Sequence, residues 1–156
     1  MARGSQKKVN KLKLILSYLM GHKRQVTAAV IERDGKILIA KRRLGRTLGG
    51  KWEFPGGKIE PGETPKECLK RELKEEFSVE AEIGDFLISS KFTYCFIPIE
   101  LLAYRVKHLS GDFKVNDHEE IRWVRASELK LYDFLPADRP IAELVKGSGL
   151  NNQQNY

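Results

Sequence analysis

The run Gly57-Lys-Ile-Glu-Pro-Gly-Glu63-Thr-Pro-Lys-Glu-Cys-Leu-Lys-Arg71-Glu72-Leu73-Lys-Glu75-Glu76-Phe77-Ser78-Val79 constrains this chain more than any other stretch. Its second half reads as a helix with a sharply marked start. Thr64 suits the N-cap, Pro65 the first helical position, and Glu67 completes a capping box. Leu69, Leu73 and Phe77 form an apolar stripe that would hold the helix down. Glu72, Glu75 and Glu76 fall on an adjacent arc of about 100°. Three carboxylates so close repel one another. Either they form a solvated acidic face, or they hold a cation, and hard oxygen ligands favour Mg²⁺ or Mn²⁺. Two tight turns precede the helix, at Pro55-Gly56-Gly57 and at Pro61-Gly62-Glu63, and a glycine loop feeding clustered Glu fits a metal-phosphate site.

The spacing is Gly57, five residues, Glu63, seven residues, Arg71-Glu72, Leu73, one residue, Glu75-Glu76, one residue, Ser78, Val79. This resembles the Nudix box of the Nudix hydrolases. One position departs from the pattern, since the family glycine after the Glu pair is Ser78 here. That glycine would serve a left-handed C-cap, so Ser78 is expected to cost about 1 kcal/mol of local strain. The departure concerns helix termination and leaves the carboxylates in register.

The composition, 41% hydrophobic and 31% charged, fits one globular domain with a sizeable core. The net charge of +7 lies wholly in residues 1–24, where Arg3, Lys7, Lys8, Lys11, Lys13, Lys23 and Arg24 meet no acid. Residues 1–24 therefore read as a basic N-terminal extension, residues 25–146 as the domain, and residues 147–156 as a polar, disordered tail. The extension allows nucleic-acid or membrane-surface binding, though a loosely docked tail is the simpler expectation. Its apolar run (Leu12, Leu14, Ile15, Leu16, Tyr18, Leu19, Met20) is too short to span a bilayer and reads as an extra helix rather than a signal peptide. Cys68 and Cys95 are too few for a disulfide framework; a buried, reduced Cys68 points to the cytoplasm.

Within the domain, Gln25–Arg33 and Lys36–Arg42 read as strands joined by an Asp34-Gly35 hairpin. A Gly-rich basic loop over 43–51 leads into Trp52-Glu53-Phe54-Pro55. Residues 80–91 read as extended, 94–98 as a turn, and 99–106 as a returning strand. A loop is expected over 108–112, a strand over 121–125 and a last helix over 136–146, with Ile141, Leu144 and Val145 inward. These elements make an α/β domain. The resemblance implies the Nudix α/β/α sandwich with a mixed β-sheet.

The resemblance also implies the chemistry. Members cleave nucleoside diphosphates linked to another group with Mg²⁺ or Mn²⁺. By position, Glu72, Glu75 and Glu76 would be metal ligands with the Gly56 carbonyl, while Arg71 and Glu63 would pair and fix the loop. The stretch Trp52–Glu60 with Phe134-Leu-Pro-Ala-Asp138 is similar to the MutT-like branch and to its CTP-hydrolysing relatives. There an Asn that reads oxidised guanine follows the Ala, whereas this chain has Asp138. Asp138 is either a base reader with altered preference or a solvated capping residue. Arg42 would meet substrate near its phosphate, Glu53 and Phe54 would border the nucleotide pocket, and Tyr94 and Phe96 are weaker candidates for its other side. Among Asp117, Glu119 and Glu120, Asp117 is the expected further acid, and the general base lies between it and the helix carboxylates. His118 is expected to be an exposed loop residue without a partner.

The leading expectation is therefore metal-dependent hydrolysis of a (deoxy)nucleoside triphosphate, oxidised or otherwise modified, to monophosphate and pyrophosphate, a nucleotide-pool-sanitising role allied to DNA repair. The rivals are a Nudix hydrolase of ADP-ribose, a nucleotide sugar or a dinucleoside polyphosphate, and a non-catalytic nucleotide- or RNA-binding module. The chain is read as monomer or homodimer.

Overall fold

Asp34 and Gly35 both take left-handed backbone angles, φ 51° and 71°, and turn strand β1 (Arg24–Arg33) back into β2 (Lys36–Lys41). This is the twist a two-residue hairpin needs. The computed structural model describes residues 8, 9, 11–13, 15, 16 and 23–148. The remaining strands are β3 (Trp52–Glu53), β4 (Glu80–Tyr94), β5 (Ile97–Ser110) and β6 (Glu120–Val124). The helices of residues 23–148 are α1 (Pro65–Phe77) and α2 (Arg139–Gly147), with a 3-10 helix over Ala126–Leu131 between β6 and α2.

The strands form one mixed sheet in the order β3-β2-β1-β5-β4, with β6 on β2. β1 and β5 run parallel, Arg24 opposite Ile99 through Ile31 opposite Val106, and the other pairings are antiparallel. Alternation along the strands sends side chains to two cores. Ala29, Ile31, Leu38, Ala40, Tyr104 and Val106 meet Leu69, Leu73 and Phe77 of α1. Ala28, Val30, Ile37, Ile39, Leu101 and Ala103 meet Ile141, Ala142 and Val145 of α2. The sheet thus lies between helices, as an α/β/α sandwich.

β1 and β2 pair only near their turn, through Glu32–Ile37 and Arg33–Lys36. Beyond it the loop after β3 lies along β1. Ala29 N–H donates to the Pro55 carbonyl (2.6 Å), Thr27 N–H to the Gly57 carbonyl (2.8 Å), and Ile59 N–H to the Gln25 carbonyl (3.2 Å). A Cβ at Gly56 would collide with the Thr27 carbonyl, so the loop can lie this close only with glycine there.

Several expectations shift. The expected loop at 108–112 begins late, because β5 continues to Ser110 opposite Glu80. The last helix starts at Arg139 rather than Pro136, since Leu135–Asp138 is a turn closed by Asp138 N–H on the Leu135 carbonyl. Leu144, expected inward, is partly exposed, whereas Ala142 is buried. The 94–98 turn centres on Cys95 and Phe96, both at positive φ. In the N-terminal extension, residues 8, 9, 11–13, 15 and 16 are helical and exposed. The rest of the apolar run there, and the tail from 149, lie outside the described residues. No helix among the described residues is long and apolar enough to cross a membrane.

Candidate active site

The capping box forms as its residues require: Glu67 N–H donates to Thr64 Oγ1 (3.2 Å) and Thr64 N–H to Glu67 Oε2 (2.8 Å). It starts α1 where its acidic side passes under the glycine loop. A Cβ on Gly57 would occupy the place of the Glu72 carboxyl. Arg71 fastens loop to helix. Its Nε and Nη2 donate to the two Glu63 oxygens (2.7 and 3.0 Å), Nη2 also reaches the Lys58 carbonyl (3.2 Å), and Nη1 reaches Glu72 Oε1 (2.8 Å). The guanidinium holds the Glu63 carboxyl down at about 2. Glu63 is 14% exposed and bidentate, so this is not the ordinary surface pair.

The helix carboxylates have separate surroundings. Glu75 is 61% exposed and leans towards Arg71 (3.4 Å). Burial raises the Glu72 carboxyl above its usual range. Glu76 is pushed up to about 8, first by burial and then by the charges of Glu72, Glu53 and Asp117, with Arg46 opposing. Its Oε2 is buried with no hydrogen-bond partner. Among the described residues no three acidic, His or Cys side chains are gathered tightly enough to hold an ion as they stand. The donor chemistry nevertheless fits a divalent cation. An orphaned carboxylate oxygen in a field of other carboxylates lacks the positive charge such a group requires.

The C-terminus of α1 brings a second loop to this point. Ser78 ends the helix at φ 59°, ψ 32°, the left-handed cap expected of it. Lys114 N–H and Asn116 N–H donate to the Phe77 and Glu76 carbonyls, and Asn116 Nδ2 donates to the Glu75 carbonyl and Ser78 Oγ. These bonds strap residues 114–116 onto the helix and set Asp117 near Glu76. Asp117 pairs with Arg46 (2.6 Å), while Arg43 Nε donates to the carbonyls of Asp117 and His118. Glu119 and Glu120 turn instead to Lys41, and Glu120 also to Arg122.

His118 is not the exposed, unpartnered residue expected. It is 5% exposed, its ring stacks on Phe77 (centroids 5.3 Å apart), and Nε2 lies 2.9 Å from Glu53 Oε1. Glu53 also accepts from Arg42 Nη1, through Oε2 (3.3 Å) and Oε1 (3.4 Å). A single histidine in an acidic loop carries no sequence mark of this burial. The basic loop over 43–51 carried a usable sign of its partner, because its arginines needed acids.

Asp138 is 4% exposed and accepts the Phe54 N–H through Oδ1 (2.9 Å). It occupies the N-cap position of α2 without a capping bond, so it is neither solvated nor a cap. Burial, then the Glu53 charge, raises its carboxyl well above the usual range. Phe54, expected at the pocket border, points its ring into the core against Phe134 (5.3 Å), and only its backbone serves Asp138. Tyr94 Oη accepts the N–H of Ala137 (3.0 Å), beside Asp138, whereas Phe96 is 79% exposed at the hairpin tip.

The chain matches the NUDIX domain over residues 21–145. It is similar to the CTP pyrophosphohydrolase of Escherichia coli, with 40% identity over 119 residues, 76% of this chain and 88% of the relative. It is also similar to the 8-oxo-dGTP diphosphatase of Haemophilus influenzae, with 32% identity over 133 residues, 85% of this chain and 95% of the relative. Among solved structures, the solution structure of the Escherichia coli ORF135 protein aligns at a TM-score of 0.75 and 35% identity, over 85% of this chain and 95% of the other.

Proposed function

The chain belongs to the NUDIX domain family, and from that premise we propose that it hydrolyses a nucleoside triphosphate to the monophosphate and pyrophosphate. The observation that carries the reading is the buried, unpartnered Glu76 oxygen beside Glu72, under a glycine loop that a Cβ would fill. Glu72, Glu75, Glu76 and the Gly56 carbonyl would hold Mg²⁺ or Mn²⁺. When bound, such a cation supplies Lewis-acid neutralisation of charge on the phosphate oxygens. Arg71 keeps Glu72 in place, Arg42, paired with Glu53 through Nη1 and bonded to the Thr47 carbonyl through Nε, would turn its outer nitrogens to a phosphate, and Glu76 and Asp117 are the carboxylates that could take a proton from the attacking water. The cleaved bond is a phosphoric anhydride, and the water oxygen ends on one of the two phosphate products.

The base end supports a narrower reading. Asp138 is held towards its neutral form, and a protonated carboxyl offers one donor and one acceptor, much as an amide does. That supports purine recognition of the kind named for the 8-oxo-dGTP diphosphatase relative. The CTP pyrophosphohydrolase relative supports a second reading, in which an ionised Asp138 or Glu53 accepts the amino group of cytosine. Pyrophosphate release with Mg²⁺ over 8-oxo-dGTP, dGTP, CTP, dCTP, ADP-ribose and a nucleotide sugar tests both. Turnover of the last two alone would remove the triphosphate reading, and no turnover, with nucleotide still bound, would make the chain a binding module.

A further inference from the structure

His118 contributes a buried imidazole that the reading above does not use. Its Nε2 faces Glu53 Oε1 at 2.9 Å, and its Nδ1 is buried with no partner. Facing a carboxylate, Nε2 carries the proton, so Nδ1 is left as the orphan. An orphaned buried nitrogen is costly, and the fold retains it with the ring stacked on Phe77 at an interplanar angle of 17°. What the arrangement secures is the orientation of Glu53.

Glu53 ends a two-residue strand and is 17% exposed. Its charge acts on Glu76 at one end of the site and on Asp138 at the other. The following residue, Phe54, supplies the N–H that Asp138 accepts. Arg42 and His118 are the two side chains that hold Glu53. They are not equivalent. Arg42 is 28% exposed and its contacts to Glu53 are long, so a phosphate can draw it away. His118 is sealed under the loop, and Arg43 holds its carbonyl as well (3.3 Å).

We propose that His118 is a positioning residue that acts through Glu53, keeping that carboxylate directed at the nucleoside once Arg42 has turned to the phosphates. The proposal rests on the nucleotide-hydrolase reading for what Glu53 touches. It assigns His118 no contact with substrate and no proton transfer.

Two variants separate positioning from support. His118→Phe keeps a ring against Phe77 but loses the donor, and His118→Gln restores a donor near the place of Nε2. Both are compared with the wild-type protein in melting temperature, kcat and KM over the nucleotide panel. The expected pattern is a KM raised about ten-fold in the Phe variant, with base preference flattened and kcat changed less. The Gln variant should recover most of the loss. Glu53→Ala combined with His118→Phe should be no worse than Glu53→Ala alone, because either change removes the same interaction. A loss shared equally by Phe and Gln, a loss in neither, or additive losses in the double variant would overturn the assignment. If the wild-type protein turns over no nucleoside triphosphate, the proposed function fails, and the same comparison on whichever anhydride it does cleave decides the role of His118.

Discussion

Arg71 grips both oxygens of Glu63 with a two-pronged bond, Nε to Oε1 at 2.7 Å and Nη2 to Oε2 at 3.0 Å, while its remaining prong steadies Glu72. One guanidinium therefore ties the glycine loop to a carboxylate of the site. Lysine has the charge without the fork. Arg71→Lys is expected to lower kcat by about ten-fold or more and to leave α1 formed, checked by steady-state kinetics and circular dichroism. The Glu63 carboxyl sits near 2 instead of its usual 4.5, so its contribution is present above the usual value and is lost only as pH falls towards about 2.

Gly57 and Gly62 lie in the same loop and should respond differently. A Cβ at Gly57 meets the Glu72 carboxyl, whereas one at Gly62 meets open space and only the strain of φ +81°. Gly57→Ala should abolish turnover. Gly62→Ala should cost only about 1 kcal/mol of stability and keep most activity. Equal activity in the two variants would contradict the packing described.

Glu76→Gln removes a buried carboxyl that lacks a partner and that its surroundings push up to about 8, so the variant is spared the cost of holding that group neutral at pH 7. Without divalent metal the variant should melt higher than wild type, by about 1 kcal/mol or more in stability. It should also lose the stabilisation that Mg²⁺ or Mn²⁺ confers, and kcat should fall by about 100-fold or more. Thermal melts with and without EDTA, alongside pyrophosphate release, give all three quantities.

Asp138→Asn tests the base end and the pH dependence together. The folded protein raises this carboxyl above its ordinary 3.8. The folded state thus binds the proton more tightly than the unfolded state. Its contribution to stability is full below 3.8 and is lost as pH rises through the raised value. The Asn variant keeps an acceptor for Phe54 N–H and cannot ionise. It should melt higher than wild type at pH 8, with the advantage vanishing towards pH 4. If the neutral form reads the base, the variant should also keep its substrate preference as pH rises.

Ser78→Gly relieves a left-handed backbone but deletes the hydroxyl that Asn116 reaches at 3.3 Å. A long bond of this kind contributes little, so the net change should favour the variant by about 0.5–1 kcal/mol, read from denaturant midpoints.

Much of the fold was legible because it is written over short distances. The capping box spans Thr64 to Glu67, the apolar stripe repeats every four residues from Leu69 to Phe77, and Asp34-Gly35 dictates its own turn. The ends of elements were less legible. Whether β5 stops at Val106 or Ser110 depends on Glu80 across the sheet, and the start of α2 depends on the turn at Leu135.

The site divides in the same way. Residue order by itself determined the helix, its caps and the carboxylate register, since these depend on hydrogen bonds and periodicities a few residues long, while the pairing of Arg71 with Glu63 was implied by the family resemblance. Only the tertiary structure decided that Glu75 leans out while Glu76 is half-buried, that a strapped loop sets the charge of Asp117 near Glu76, and that His118 and Asp138 are enclosed. Burial and electrostatic field are sums over neighbours brought from 65 and 84 positions away, as His118 to Glu53 and Asp138 to Phe54 illustrate. No local pattern carries such sums.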